Sequence, residues 1–116
     1  LPTSVSASGV IRGGQAVCYL STEDASKIKA GQTVAVQAVE QNGTFNGKVS
    51  DVGMTPLSSS EVAAELGSDY LTSILATTKY SVRTVIAVPQ TGIADGTVLN
   101  LKIIVEEKRP FDFLGG

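Results

Sequence analysis

An alternation of apolar and polar side chains with a period of two recurs along most of this chain, and it constrains the fold more than any other feature. In "QTVAVQAVE", Val34, Val36 and Ala38 alternate with Ala35, Gln37 and Val39. In "TVLNLKIIVEE", Leu99, Leu101, Ile103 and Val105 share one face, with Asn100, Lys102 and Glu106 on the other. Successive side chains of a strand point to opposite sides, so this spacing predicts strands that each bury one face. "YSVRTVIAVP" follows the same rule through Val82, Thr84, Ile86 and Val88, and the opening "TSVSASGVI" alternates too. "QAVCYLS" reads as a further short strand, and "TFNGKVSDVGM" as the return arm of a hairpin turned at "QNG", with Asn42-Gly43 at its centre. Pro89, Gly92 and Asp95-Gly96 supply the turn chemistry of "PQTGIADGT".

Six short strands in one 116-residue domain predict a mainly β fold, a small six-stranded and mostly antiparallel β-barrel, closed or nearly so. Two patches depart from the period. The first, "STEDASKIKAG" at Ser21–Gly31, reads as one turn of capped helix. Ser21 is the cap, Asp24 stands where a capping box has Glu, and Ala25 and Ile28 share a face. Lys27 and Lys29 fall in the last turn, where the helix dipole favours cations, and Gly31 is the stop. The second patch, an insert at 57–76, carries a capping box at Ser58 and Glu61, apolar Val62 and Leu66, and a stop at Gly67. A second short helix starts at Ser68, with Leu71, Ile74 and Leu75 turned inward. This pattern is too regular for an open loop and predicts a lid packed on the barrel.

Composition narrows the chemistry. The chain has no histidine, which removes the usual general base, the commonest metal ligand and any Ser/His or Cys/His pair. A single cysteine, Cys18, rules out an internal disulfide and a thiolate zinc cluster. The net charge is −2, and the nine Lys and Arg residues are scattered with no basic run among aromatics, which argues against a nucleic-acid surface. No apolar run reaches the ~18–20 residues of a membrane span, and no signal peptide is visible. The start at Leu1 suggests a piece excised from something longer.

The residues with chemical potential have plainer readings. Cys18 sits among Val17, Tyr19 and Leu20, near acidic Glu23 and Asp24, and reads as a buried small hydrophobe. Glu106 and Glu107 are strand neighbours, so their side chains diverge and do not form an acid–base pair; they and Asp51 read as solvated. Gly13-Gly14 lacks the surrounding pattern of a phosphate loop and reads as a flexible connection. The ending "KRPFDFLGG" is different: Pro110 stops the last strand, and Phe111, Phe113 and Leu114 follow. These apolar groups either fold back on the barrel or, with Arg109, form a contact surface for a partner. No set of residues forms an active site, so the expectation is that the chain is not an enzyme and carries no cofactor or metal.

The order of these motifs resembles the β-barrel domain of haemolysin-D-type membrane fusion (periplasmic adaptor) proteins. "CYLSTEDASKIKAGQTVAVQ" is similar to the family's strand, short capped helix, "K-x-G-Q/M-x-V-x-V" and strand; "FNGKVSDVG" is similar to its "F-x-G-x-V-x-x-I/V". The close, "VLNLKIIVEEKRPFDFL", resembles the final strand and "RP-[IF]-x-[LF]" ending of adaptors that serve ABC exporters. "LPTSVSASGVI" and "EVAAELGSDYLTSIL" are most similar to the subgroup that exports bacteriocins and other leader-bearing peptides. Such adaptors carry an N-terminal membrane helix and a lipoyl-like domain split by a helical hairpin. Here "SGVIRGG" runs straight into "QAVCYLS", so the expectation is that residues 1–12 and 15–116 flank a missing insertion, with Gly13-Gly14 at the junction.

The resemblance implies a non-catalytic assembly module in the periplasm or cell envelope, partnered by an ABC transporter and sister adaptor subunits and anchored to the membrane only through a segment absent from this chain. It also frames the helical turn at Ser21 as a plug, with Ala25 and Ile28 covering one mouth of the barrel. The alternative is a free-standing barrel that binds a peptide or saccharide, which requires an aromatic-lined pocket; three Tyr, three Phe and no Trp offer little material for one.

Overall fold

The structure is a computed structural model, and it describes residues 2–39, 43–89 and 93–107. Seven strands and three short helices follow one another: β1 (Pro2–Arg12), β2 (Gln15–Ser21), α1 (Thr22–Ala25), β3 (Thr33–Ala38), β4 (Thr44–Val52), β5 (Leu57–Ser58), α2 (Ser59–Leu66), α3 (Asp69–Leu75), β6 (Tyr80–Ala87) and β7 (Val98–Glu107). Six of the strands close on themselves. β1 pairs with β2, β2 with β6, β6 with β4, β4 with β3, β3 with β7, and β7 returns to β1, every pair antiparallel. The two-residue β5 lies outside this ring and extends the β6 ladder through Leu57 opposite Ser81. The predicted six-stranded antiparallel barrel is therefore the observed one, with one outer strand added.

The period-two rule sets the core. Val34, Val36 and Ala38, Leu99, Leu101 and Ile103, and Val82 and Ile86 all point inward, joined by Val5, Ile11, Ala16, Cys18, Leu20 and Val49. A ring of six strands leaves an interior that side chains alone fill. Gly47 marks how tightly the walls approach. A Cβ there would stand 2.6 Å from the backbone carbonyl of Ala87, so the "FNG" of β4 needs a residue with no side chain.

Gly13 and Gly14 do not form a flexible connection. They are the two central residues of a tight hairpin between Arg12 and Gln15, which face each other in the β1–β2 ladder. Their φ angles are 61° and 79°, both in the left-handed region that a type I′ hairpin turn demands and that glycine adopts without steric cost.

The helical insert has the predicted caps and, as expected, packs on the barrel. Ser58 and Glu61 complete a reciprocal capping box, the Ser68 hydroxyl accepts from the Leu71 amide, and Gly67 ends α2. The insert covers a side of the barrel and not one of its mouths. Val62, Leu66 and Leu75 pack instead against Val10, Val17 and Tyr19, the outward-facing residues of β1 and β2, and form a second core on the outer wall. The physical reason is that β1 and β2 are apolar on both faces where they meet, and such a surface has to be covered on both sides.

Candidate functional site

Of the residues expected to contact a partner, Arg109, Phe111, Phe113 and Leu114 lie outside the described residues, as does Asn42 of the first hairpin turn. Glu106 and Glu107 pair through their backbones with Thr3 and Pro2. Asp51 is exposed on β4, where the ladder with β6 is irregular between Val49 and Asp51. Cys18 points into the barrel and is fully buried; burial alone pushes its thiol up to about 12. A thiol of that kind is a packing group rather than a nucleophile. Among the described residues, no three His, Cys, Asp or Glu side chains come together as a metal cage.

The turn after β2 does cross one end of the barrel. The Ser21 hydroxyl accepts from the Asp24 amide, and Ala25 and Ile28 are buried in the main core. α1 is shorter than predicted: it stops at Ala25, so Lys27 and Lys29 lie beyond it and do not serve its C-terminus. The polypeptide continues as turns because other groups hold it. The Gly31 amide donates to the Val49 carbonyl at 2.8 Å, fixing the segment to β4. Gln32 is the main fastening. Its side-chain oxygen accepts from the Lys29 amide at 2.9 Å, and its Nε2 donates to the Lys27 and Val105 carbonyls, both at 3.3 Å. One amide side chain thus folds the turn on itself and ties it to β7, a role that spacing along the chain does not reveal.

Polar side chains converge at one further place, between the β1–β2 hairpin and α2. The Tyr19 hydroxyl donates to Glu65 Oε1 at 2.8 Å, and Arg83 Nε stands 3.6 Å from the same oxygen. Arg12 Nη1 donates to the Leu66 carbonyl at 3.3 Å, closing the last turn of α2. Burial holds the Tyr19 phenol well above its ordinary range, and the hydrogen bond to Glu65 and the charge of that carboxylate add to this; Arg83 and Arg12 pull the other way. The cluster therefore contains a protonated phenol, one carboxylate and two guanidiniums, and it latches α2 to the barrel wall. Sequence inspection missed it because its members lie at positions 12, 19, 65 and 83. The available signal was the unbroken apolar run "AVCYL" in β2, buried at every position, which marks a strand covered on both faces.

A concavity of about 570 Å³ beside the insert is lined by Val39, Tyr70, Ile74 and the turn Asp95–Val98. Tyr70 is its one aromatic, so it lacks the aromatic lining expected of a peptide or saccharide site.

The chain matches no protein-family model, no curated protein and no solved structure.

Proposed function

We propose that this chain is the barrel of a periplasmic adaptor of the haemolysin-D type, a non-catalytic module that links an ABC exporter of peptides or bacteriocins to the route outward. The observation that carries this reading is the two-residue turn at Gly13-Gly14 in a closed barrel. The adaptors that the chain resembles depart from their barrel between the first strand and the next, to build a lipoyl-like domain and a coiled-coil hairpin. In this barrel those two strands are ladder neighbours, and each is also held by a second partner, β7 for β1 and β6 for β2. A domain entering and leaving at positions 13 and 14 therefore leaves every other ladder unchanged. The resembling motifs also fall on elements that shape the cylinder. "CYLSTEDASKIKAGQTVAVQ" spans β2, the plug and β3, and "FNGKVSDVG" includes the close approach at Gly47.

On this reading the work of the domain is geometric. A packed barrel holds a fixed spacing between whatever its ends carry, and the energy for transport comes from ATP hydrolysis in the exporter. The partners are the exporter and sister subunits outside the cytoplasmic membrane, and the tail residues Arg109, Phe111, Phe113 and Leu114 form the partner contact.

The test is capture of the chain, and of a variant lacking residues 110–116, by membranes bearing its cognate ABC exporter. The expected result is retention of the full chain and loss of the shortened one. Equal retention of both overturns the role of the tail; retention of neither overturns the adaptor reading.

A further inference from the structure

Between the β1–β2 hairpin and α2 lies a concavity of about 240 Å³, lined by Arg12, Gln15, Val17, Tyr19, Glu65 and Arg83. Both arginines of the described residues line it, whereas Lys27, Lys29, Lys48, Lys79 and Lys102 all stand elsewhere. A guanidinium offers five N–H donors in a planar fork. Arg12 uses one of them on the Leu66 carbonyl, and Arg83 turns its Nε toward Glu65 at 3.6 Å. The Nη groups of Arg83 have no partner among the described residues, and Arg12 keeps all its donors but one.

The charge balance has a definite sign. Two guanidiniums face one carboxylate, and Oε1 of that carboxylate already takes the Tyr19 hydroxyl and the Arg83 contact. One positive charge remains, in a hollow lined by Val17 and by the donor-bearing side chains of Arg12, Gln15 and Arg83. Two forks at one site match the oxygens of a carboxylate or phosphate better than lysines do.

We propose that this concavity is an oxyanion-binding site, in which Arg12 and Arg83 hold a carboxylate or phosphate group beside Glu65. The site goes beyond the adaptor reading and stands whether or not that reading does.

The experiment follows the arginine Nε–Hε resonances of the folded chain during titration with sodium phosphate, sodium acetate and sodium chloride at constant ionic strength. Saturable shifts at Arg12 and Arg83 with phosphate or acetate, absent with chloride, are expected. The tighter of the two anions identifies the source: phosphate points to a phosphorylated ligand, acetate to a carboxylate group. Arg12→Gln and Arg83→Gln each weaken binding by about tenfold, the size of one lost charged hydrogen bond, while Lys48→Gln leaves it unchanged. Both arginines are surface side chains, and amide spectra identical to the parent establish that the variants fold. If one variant fails that check, the other and the parent titration still decide. Linear shifts equal to those in chloride, or saturation that survives the double variant, overturn the site and leave the arginines as a latch for α2 alone.

Discussion

Ile28 turns its side chain into the main core with 6% of its surface exposed, while Lys27 and Lys29 on either side stay in water. Burying an isoleucine contributes roughly 1.5–3 kcal/mol, enough to keep an irregular segment across the barrel end. Ile28→Asp replaces that contact with a charge in an apolar site, and a loss of about 3 kcal/mol or more is expected in urea or guanidinium titrations. A loss under about 0.5 kcal/mol would show that the segment plugs nothing. Cys18 makes a pH argument at the same scale. Burial raises its thiol from 9.0 to about 12, so the folded state favours the protonated form. The resulting stability is complete below pH 9 and drains away as the pH climbs toward 12. Denaturation midpoints between those limits should therefore fall more steeply for the parent than for Cys18→Ala, whatever their absolute values. Parallel slopes would remove Cys18 from the account. Ile28 and Cys18 were both legible in the sequence, Ile28 because it shares a helical face with Ala25 and Cys18 because its strand neighbours are apolar. Gln32 was not, because an amide between Gly31 and Thr33 carries no mark of the three backbone groups it meets in space.

The insert β5–α2–α3 behaves as an element with its own small core. Its caps could be read directly, because Ser58, Glu61, Gly67 and Ser68 act within a few residues of themselves. Its seat could not, because that depends on Val10, Val17 and Tyr19, which belong to strands far away in the chain. The same separation limits its coupling to the barrel: the Leu66 and Val62 side chains touch the outer wall, not the interior. Leu66→Ala should cost about 2–3 kcal/mol locally through lost burial and the cavity left behind. Amide hydrogen exchange measures where that cost falls. Faster exchange across 59–75, with β3 and β4 still protected, is the expected pattern for an element that opens on its own. A uniform rise through every strand would mean instead that the insert and the barrel fold as one cooperative unit.

At the scale of the whole molecule, the ring closes because every strand of it has two ladder partners, and this makes the β1–β2 turn dispensable. β1 pairs with β7 from Pro2 to Val10, and β2 pairs with β6 from Ala16 to Ser21, so neither strand depends on Gly13-Gly14 for its place. The Arg12 contact to Leu66 adds a further hold beside the turn. Loop-closure entropy rises only with the logarithm of length, each doubling costing about 0.6 kcal/mol. Replacing Gly13-Gly14 with a Gly/Ser loop of about 20 residues is roughly a tenfold lengthening, so the expected loss is about 2 kcal/mol with unfolding still a single cooperative transition. Calorimetry and denaturant titration of the lengthened variant decide the point. A broadened transition, or loss of the main core, would show that the turn holds the cylinder shut, and a barrel of that kind could not carry a domain at this position.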